Sequence, residues 1–240
     1  MPVGFFTEGI EFSLPHPPIN ERVILLVCKV LRAAWQLLEQ NPPPGFKFHS
    51  ENEDTITENL VGVIESRLRK NGEIKGFNSA LFGRVVREPK IANFNKNHPD
   101  KMPDILFDLK RETLPILSEQ DGLFVECKPV DSAHPVYSCY CKEGLIRFVR
   151  GDYAWAMQQA LMVGYAKAPY SYQHLNCTLA SRSPNTEFNT LQHGPVEGTD
   201  LYRSIHDRHF DWMKKHEKAC PITISHIWLK QKVLTSVVGE

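Results

Sequence analysis

Net charge is the first thing this sequence lacks: 28 Lys plus Arg stand against 28 Asp plus Glu in 240 residues. Any polyanionic partner must therefore be held by a local patch rather than by bulk charge. Nor is there an apolar run fit to span a bilayer. The longest, Val23 to Leu38, is interrupted by Lys29 and Arg32 and reads as a packed helix. Residues 1–20 offer no basic start followed by a continuous apolar stretch, and Pro15, Pro17 and Pro18 break them up. A secretory leader is thus not expected, and the expected location is the cytoplasm. The six cysteines include no Cys-X-X-Cys pair, and the nearest two, Cys139 and Cys141, are poorly spaced for a tetrahedral metal. Free thiols are expected rather than a disulfide framework. Also missing are internal repeats, low-complexity tracts, a Gly-X-Ser-X-Gly elbow and a Gly-rich phosphate loop. What remains, 42% hydrophobic, 10% aromatic and 23% charged residues, excludes disorder, collagen and coiled coil. One domain spanning 1–240 is expected at this length.

Local signals divide the chain. Asn20 is placed to cap a helix to about Gln40, which Asn41 and the Pro42-Pro43-Pro44-Gly45 break must end. A second helix is expected from Asp54, with Ser50 and Glu53 in capping-box spacing, to Asn71-Gly72. Strands are expected at about 80–87, 104–109 and 123–128. The spacing of Ala154, Trp155, Leu161, Met162 and Tyr165 predicts a helix over 152–166. A strand at 174–180, a polar loop to 198, a helix over 200–218 and a strand at 222–228 complete the reading. The succession implies an α/β architecture with a mixed sheet flanked by helices, carrying an N-terminal helical extension (1–45) and a C-terminal helix and strand (199–240).

The chemistry concentrates at two places. Pro103-Asp104 opens one short strand, and Glu126-Cys127-Lys128 closes the next. Strand alternation sends Glu126 and Lys128 to one face and Cys127 to the other. If the two strands form a hairpin, Asp104 sits beside Glu126. Two adjacent carboxylates repel, and a hard divalent cation, Mg²⁺ or Mn²⁺, relieves that conflict. Such an ion acidifies a bound water and polarises a phosphoryl group, while Lys128 would offset charge in the transition state. The bland alternative is that Pro-Asp marks a turn and Glu-X-Lys a solvated edge; a Glu and a Lys on buried strands are costly unless paired or metal-bound.

This pattern resembles the PD-(D/E)XK nuclease superfamily, whose restriction-endonuclease-like core of helix, three-stranded meander, helix and strand would cover about 50–180. The resemblance implies Asp104 and Glu126 as metal ligands and Lys128 as catalytic cation. It further implies an acid in the preceding helix and a Gln or basic residue in the following one. At 100° per residue Glu53 falls in line with Ile56, Leu60, Val63 and Ile64, whereas Glu58 faces solvent. Glu53 is therefore the chosen helix acid and third metal ligand, with Glu58 second; an ordinary capping role is the competing reading for Glu53. Gln158 fits the later position and is a catalytic candidate, although a buried amide bonded to backbone would look the same.

The implied activity is Mg²⁺- or Mn²⁺-dependent hydrolysis of phosphodiester bonds, in DNA foremost, by an endonuclease of phage defence, restriction or repair. The implied partners are nucleic acid and a homodimer or larger defence complex, with no membrane. The alternative is a catalytically silent nuclease-fold protein that binds nucleic acid or assembles with others. A local excess of five basic residues between 61 and 101, and Arg147 with Arg150, are candidate phosphate contacts. His206, His209, His216 and Cys220 would share helix faces and offer zinc ligands, a weaker reading than a solvated helix.

Overall fold

In the computed structural model the described residues are 13–48, 50–111, 117–180, 187–212 and 217–231. The chain forms an α/β structure. Helix α1 (Glu21–Gln40) starts where the Asn20 side chain accepts from the Arg22 amide at 2.9 Å. Its inward stripe is Ile24, Val27, Cys28, Leu31, Ala34, Trp35 and Leu38, a helical period. Helix α2 (Glu53–Val63) is capped by Asn52, not by Ser50; the Asn52 carboxamide accepts from Thr55 N at 2.8 Å. It widens into π geometry over Ile64–Arg69 and stops before Gly72, whose φ of +64° suits a residue without a Cβ.

A seven-stranded mixed sheet lies against these helices. The strands β1 (Phe82–Arg87), β2 (Ile105–Leu109) and β3 (Gly122–Val130) form an antiparallel meander. A helical crossover follows, π-wound over Val136–Leu145 and continuing as α3 (Ile146–Arg150). It returns the chain to β4 (Gln159–Ala166), parallel to β3. Helix α4 (Tyr172–Ala180) comes next, then β5 (Thr190–Pro195) and β6 (Tyr202–His206). The two-residue β7 (Asp211–Trp212) and β8 (Glu217–Lys218) pair with each other, and β9 (Ile222–Lys230) closes the described chain. The sheet order is β1-β2-β3-β4-β9-β6-β5. Among the described residues no helix is long and apolar enough to cross a membrane.

Several expectations need correction, among them the polar loop to 198, whose later part is strand β5. Residues 159–166 are a strand rather than part of a helix, because β4 is buried on both faces and carries apolar side chains without alternation. The helix after the meander lies at 136–150, between Pro135 and Gly151, which ends it at φ +74°. Residues 172–180 are helix α4, not a strand. Residues 202–206 are strand β6, not helix, and β9 is no appendage: it sits inside the sheet between β4 and β6. The helical face proposed for His206 and His209 therefore does not exist. His206 is a buried strand residue, and His216 lies outside the described residues.

Candidate active site

Strand pairing sets the first contact. Ile105 stands opposite Val125 in the β2/β3 register, so Asp104, one residue earlier, comes level with Glu126. Asp104 Oδ2 accepts from the Cys127 amide at 2.5 Å, which pins the carboxylate to the β3 backbone. Glu126 and Lys128, two residues apart, emerge on one face. The crossover helix lies on that face, and Gly144 permits the approach: a Cβ there would stand 3.2 Å from Lys128 Cγ, 3.4 Å from Glu126 Cγ and 2.8 Å from Met162 Cε. Glu53 arrives from the first turn of α2, where the helix dipole favours a negative charge.

All of these groups converge on one ammonium. Lys128 Nζ is 2.6 Å from Glu53 Oε1, 2.8 Å from the Cys127 carbonyl, 3.1 Å from Glu126 Oε1 and 3.6 Å from Asp104 Oδ2. Arg147, on α3, adds a second cation 3.0 Å from Glu126 Oε1, and its side chain is 38% exposed. Tyr153 donates its hydroxyl to Glu126 Oε2. Three carboxylates thus share two cations. Glu126 is fully buried, and its Oε1, though near both cations, has no aligned hydrogen bond.

The electrostatics follow from burial and crowding. Burial, then repulsion from Asp104, pushes the Glu126 carboxyl up to about 7, against the pull of Lys128 and Arg147. Burial also raises the carboxyls of Asp104 and Glu53, with Lys128 opposing in both cases. Burial alone would depress Lys128; the attraction of Glu126, Asp104 and Glu53 outweighs it and holds the amine above its ordinary value. The ammonium therefore stays charged, while the buried Glu126 carboxyl is moved toward neutral pH, where acid-base chemistry operates.

The remaining expected site residues lie elsewhere. Gln158 is not on a helix and not in the cluster: its amide donates to the His16 carbonyl at 2.8 Å, tethering the segment before α1 to the entry of β4. Glu58 points to solvent, its side chain 70% exposed beside Arg87 at 3.6 Å. The basic excess between 61 and 101 is partly consumed by Arg69–Glu65 and Arg67–Glu73 pairs and by Arg87 among Glu88, Glu58 and Asp54. Tyr153 is a site residue that carries no sequence signal. It falls in the stretch that looks helical, and nothing in its local pattern marks it as a partner of Glu126.

A divalent cation is the group the sequence pattern implies. Among the described residues no three His, Cys, Asp or Glu side chains form a ready metal cage, so the expected trio of Asp104, Glu126 and Glu53 is not preassembled. The reason is visible: the Lys128 ammonium stands between the carboxylates. The donor set still suits a hard ion, since Mg²⁺ commonly takes one or two carboxylates with water and substrate oxygens completing its shell. Asp104 and the unaligned Glu126 Oε1 would be those two carboxylate donors if an ion were bound.

Comparison with known proteins gives no help: no family model, no curated protein and no solved structure matches the chain significantly.

Proposed function

We propose that the chain is a metal-dependent phosphodiesterase with a restriction-endonuclease-like core, cutting DNA in a defence or repair setting. One observation carries the reading: Glu53, Asp104, Glu126 and Lys128, spread over 76 positions of sequence, meet around a single point. The order of α2, the β1-β2-β3 meander, a helical crossover and parallel β4 supports it further. Asp104 and Glu126 would hold Mg²⁺ or Mn²⁺, which when bound acidifies a water and polarises the phosphoryl oxygens. Lys128 stabilises charge developing on the phosphorane, and Arg147, partly exposed, holds a non-bridging oxygen of the same phosphate. Glu53 anchors the Lys128 ammonium rather than serving as a third ligand.

A second reading, a silent nuclease-fold subunit that only binds or assembles, is favoured by the oxygen nest being filled with a lysine instead of standing open. One experiment separates the two. Supercoiled plasmid, linear duplex, single-stranded DNA and RNA are incubated with the purified protein in Mg²⁺, Mn²⁺ or EDTA. Cleavage that needs the metal and falls at least ~10²-fold in both Asp104→Ala and Lys128→Ala supports the enzyme. No cleavage of any substrate in any metal overturns it in favour of the subunit.

A further inference from the structure

Beside the carboxylate cluster lies a cavity of about 400 Å³, inside the range of small-ligand sites. It shares Glu53 and Lys128 with the cluster, so the two adjoin. Its wall is aromatic: Trp35 of α1 stacks on Tyr165 of β4 with ring centres 5.5 Å apart and planes 10° from parallel, and Phe48 leans on Trp35 at 4.5 Å. Phe48 is the half-buried ring of the three. The other lining charges are mostly negative. Glu51, Glu53, Asp131 and Glu143 outnumber Lys128 and Lys167, and both ammoniums are already spoken for, Lys128 by Glu53 at 2.6 Å and Lys167 by Asp131 at 2.9 Å.

A phosphate is a poor guest for such a lining, because it meets four carboxylates and no spare cation. A flat uncharged ring with amino or imino donors is a good one: rings stack on aromatic faces, and carboxylates accept from exocyclic amines. We infer that this cavity receives one unpaired nucleobase next to the phosphate that the proposed reaction places at Asp104, Glu126 and Arg147. The inference rests on the phosphodiesterase reading and narrows it. A base inside a duplex is stacked and paired, so the preferred substrate is a single strand, a frayed end or a flap.

The test uses the full-length protein with Mn²⁺ and end-labelled oligonucleotides of about a dozen residues: single-stranded DNA, single-stranded RNA, blunt duplex, and duplex with an unpaired tail. A single abasic site is walked along the single strand. The expected result is cleavage of unpaired strands at least ~10-fold faster than of blunt duplex. An abasic site should cost about as much at the one position adjoining the cut bond and little elsewhere, the scale of losing one base–aromatic stack. Ser50→Phe, on the exposed rim, fills the space and should abolish the single-strand preference; Phe48→Ala should weaken it, and melting curves identify either variant that fails to fold. If both fail, the abasic walk on the unaltered protein decides alone. Equal cutting of duplex and single strand, with abasic sites neutral at every position, overturns the base cavity and leaves the phosphodiesterase intact. No cutting of any strand overturns both.

Discussion

Two buried polar regions of this molecule follow opposite rules. Beneath β6 and β9, Tyr140, His226, Ser204 and His206 are all fully buried and form one hydrogen-bonded chain. The Phe188 carbonyl can only accept, so His206 Nδ1 donates to it at 2.8 Å. A neutral His206 then accepts from Ser204 at 2.7 Å, Ser204 accepts from His226 Nε2 at 2.7 Å, and Tyr140 donates to His226 Nδ1 at 3.0 Å. Every donor has a taker and no member carries charge, since burial holds both imidazoles below their ordinary titration range. The cluster at Lys128 has the reverse character, with three carboxylates, two cations and one buried oxygen left without an aligned donor. A closed neutral chain stabilises a fold. A crowded set of charges costs stability, and it persists where chemistry needs it.

The sharpest way to break this contrast is to neutralise one group in the charged region. Glu126→Gln keeps the shape but removes the charge that burial and Asp104 oppose. Cleavage should fall by ~10²-fold or more. Stability above pH 7 should rise, because the carboxyl sits near 7 in the fold against 4.5 in the open chain, so its ionised form disfavours the folded state. The gain is on the order of 1–3 kcal/mol, read by urea unfolding at pH 8. A clear loss of stability there would mean that the ion pairs to Lys128 and Arg147 outweigh the crowding.

The neutral region should respond with the opposite sign. His226→Phe leaves the Tyr140 hydroxyl and the Ser204 hydroxyl each short of a partner, at about 1–3 kcal/mol apiece. The melting temperature should drop by roughly 5–15 °C, while cleavage per folded molecule stays unchanged. If cleavage fell with the fold intact, the chain would be coupled to the site.

Acid sharpens the same point by a smaller amount. His206 titrates at about 4 in the fold, and burial likewise holds His226 well below its ordinary range, against 6.5 in the open chain. As pH falls through 6.5 the unfolded chain takes up protons that the native one refuses. Stability contributed by the neutral rings is full above 6.5 and is lost toward 4, by at most about 1.4 kcal/mol per pH step for each ring. His226→Phe should remove that ring's share of the slope, measured as the melting temperature against pH in the variant and the unaltered protein.

How much of this was legible in the sequence follows the same division. The charged site was readable because its residues break the local rule: an acid and a lysine on a buried strand, and an acid in line with Ile56 and Leu60, demand a reason. The neutral network hid the strands around it. Tyr202, Ser204 and His206 alternate inward on β6, yet two of the three are polar, so the period of two is lost in the sequence and the segment reads as a helix. At β4 the cause was different: a strand apolar on both faces also satisfies helical spacing. The real crossover helix carried fair signals, Pro135 before it and Gly151 after it, but Tyr137, Cys139 and Lys142 face partly outward and gave no strong stripe.

The smallest effect expected is at Arg147, the charged region's contact with solvent. Its guanidinium holds Glu126 Oε1 at 3.0 Å and also bonds Tyr153, and the 38% of the side chain that stays exposed is the part that the proposed function turns toward a phosphate. Arg147→Lys keeps the charge and loses the planar fork, which should lower kcat/KM only several-fold with the salt dependence unaltered. Arg147→Gln removes the charge, so kcat/KM should fall by roughly ten-fold, and the slope of log affinity against log salt should shrink by about one phosphate contact. Measuring both variants across a salt series separates the two roles. A salt slope unchanged in Arg147→Gln would confine Arg147 to holding Glu126, and the phosphate would then depend on Lys128 and the metal alone.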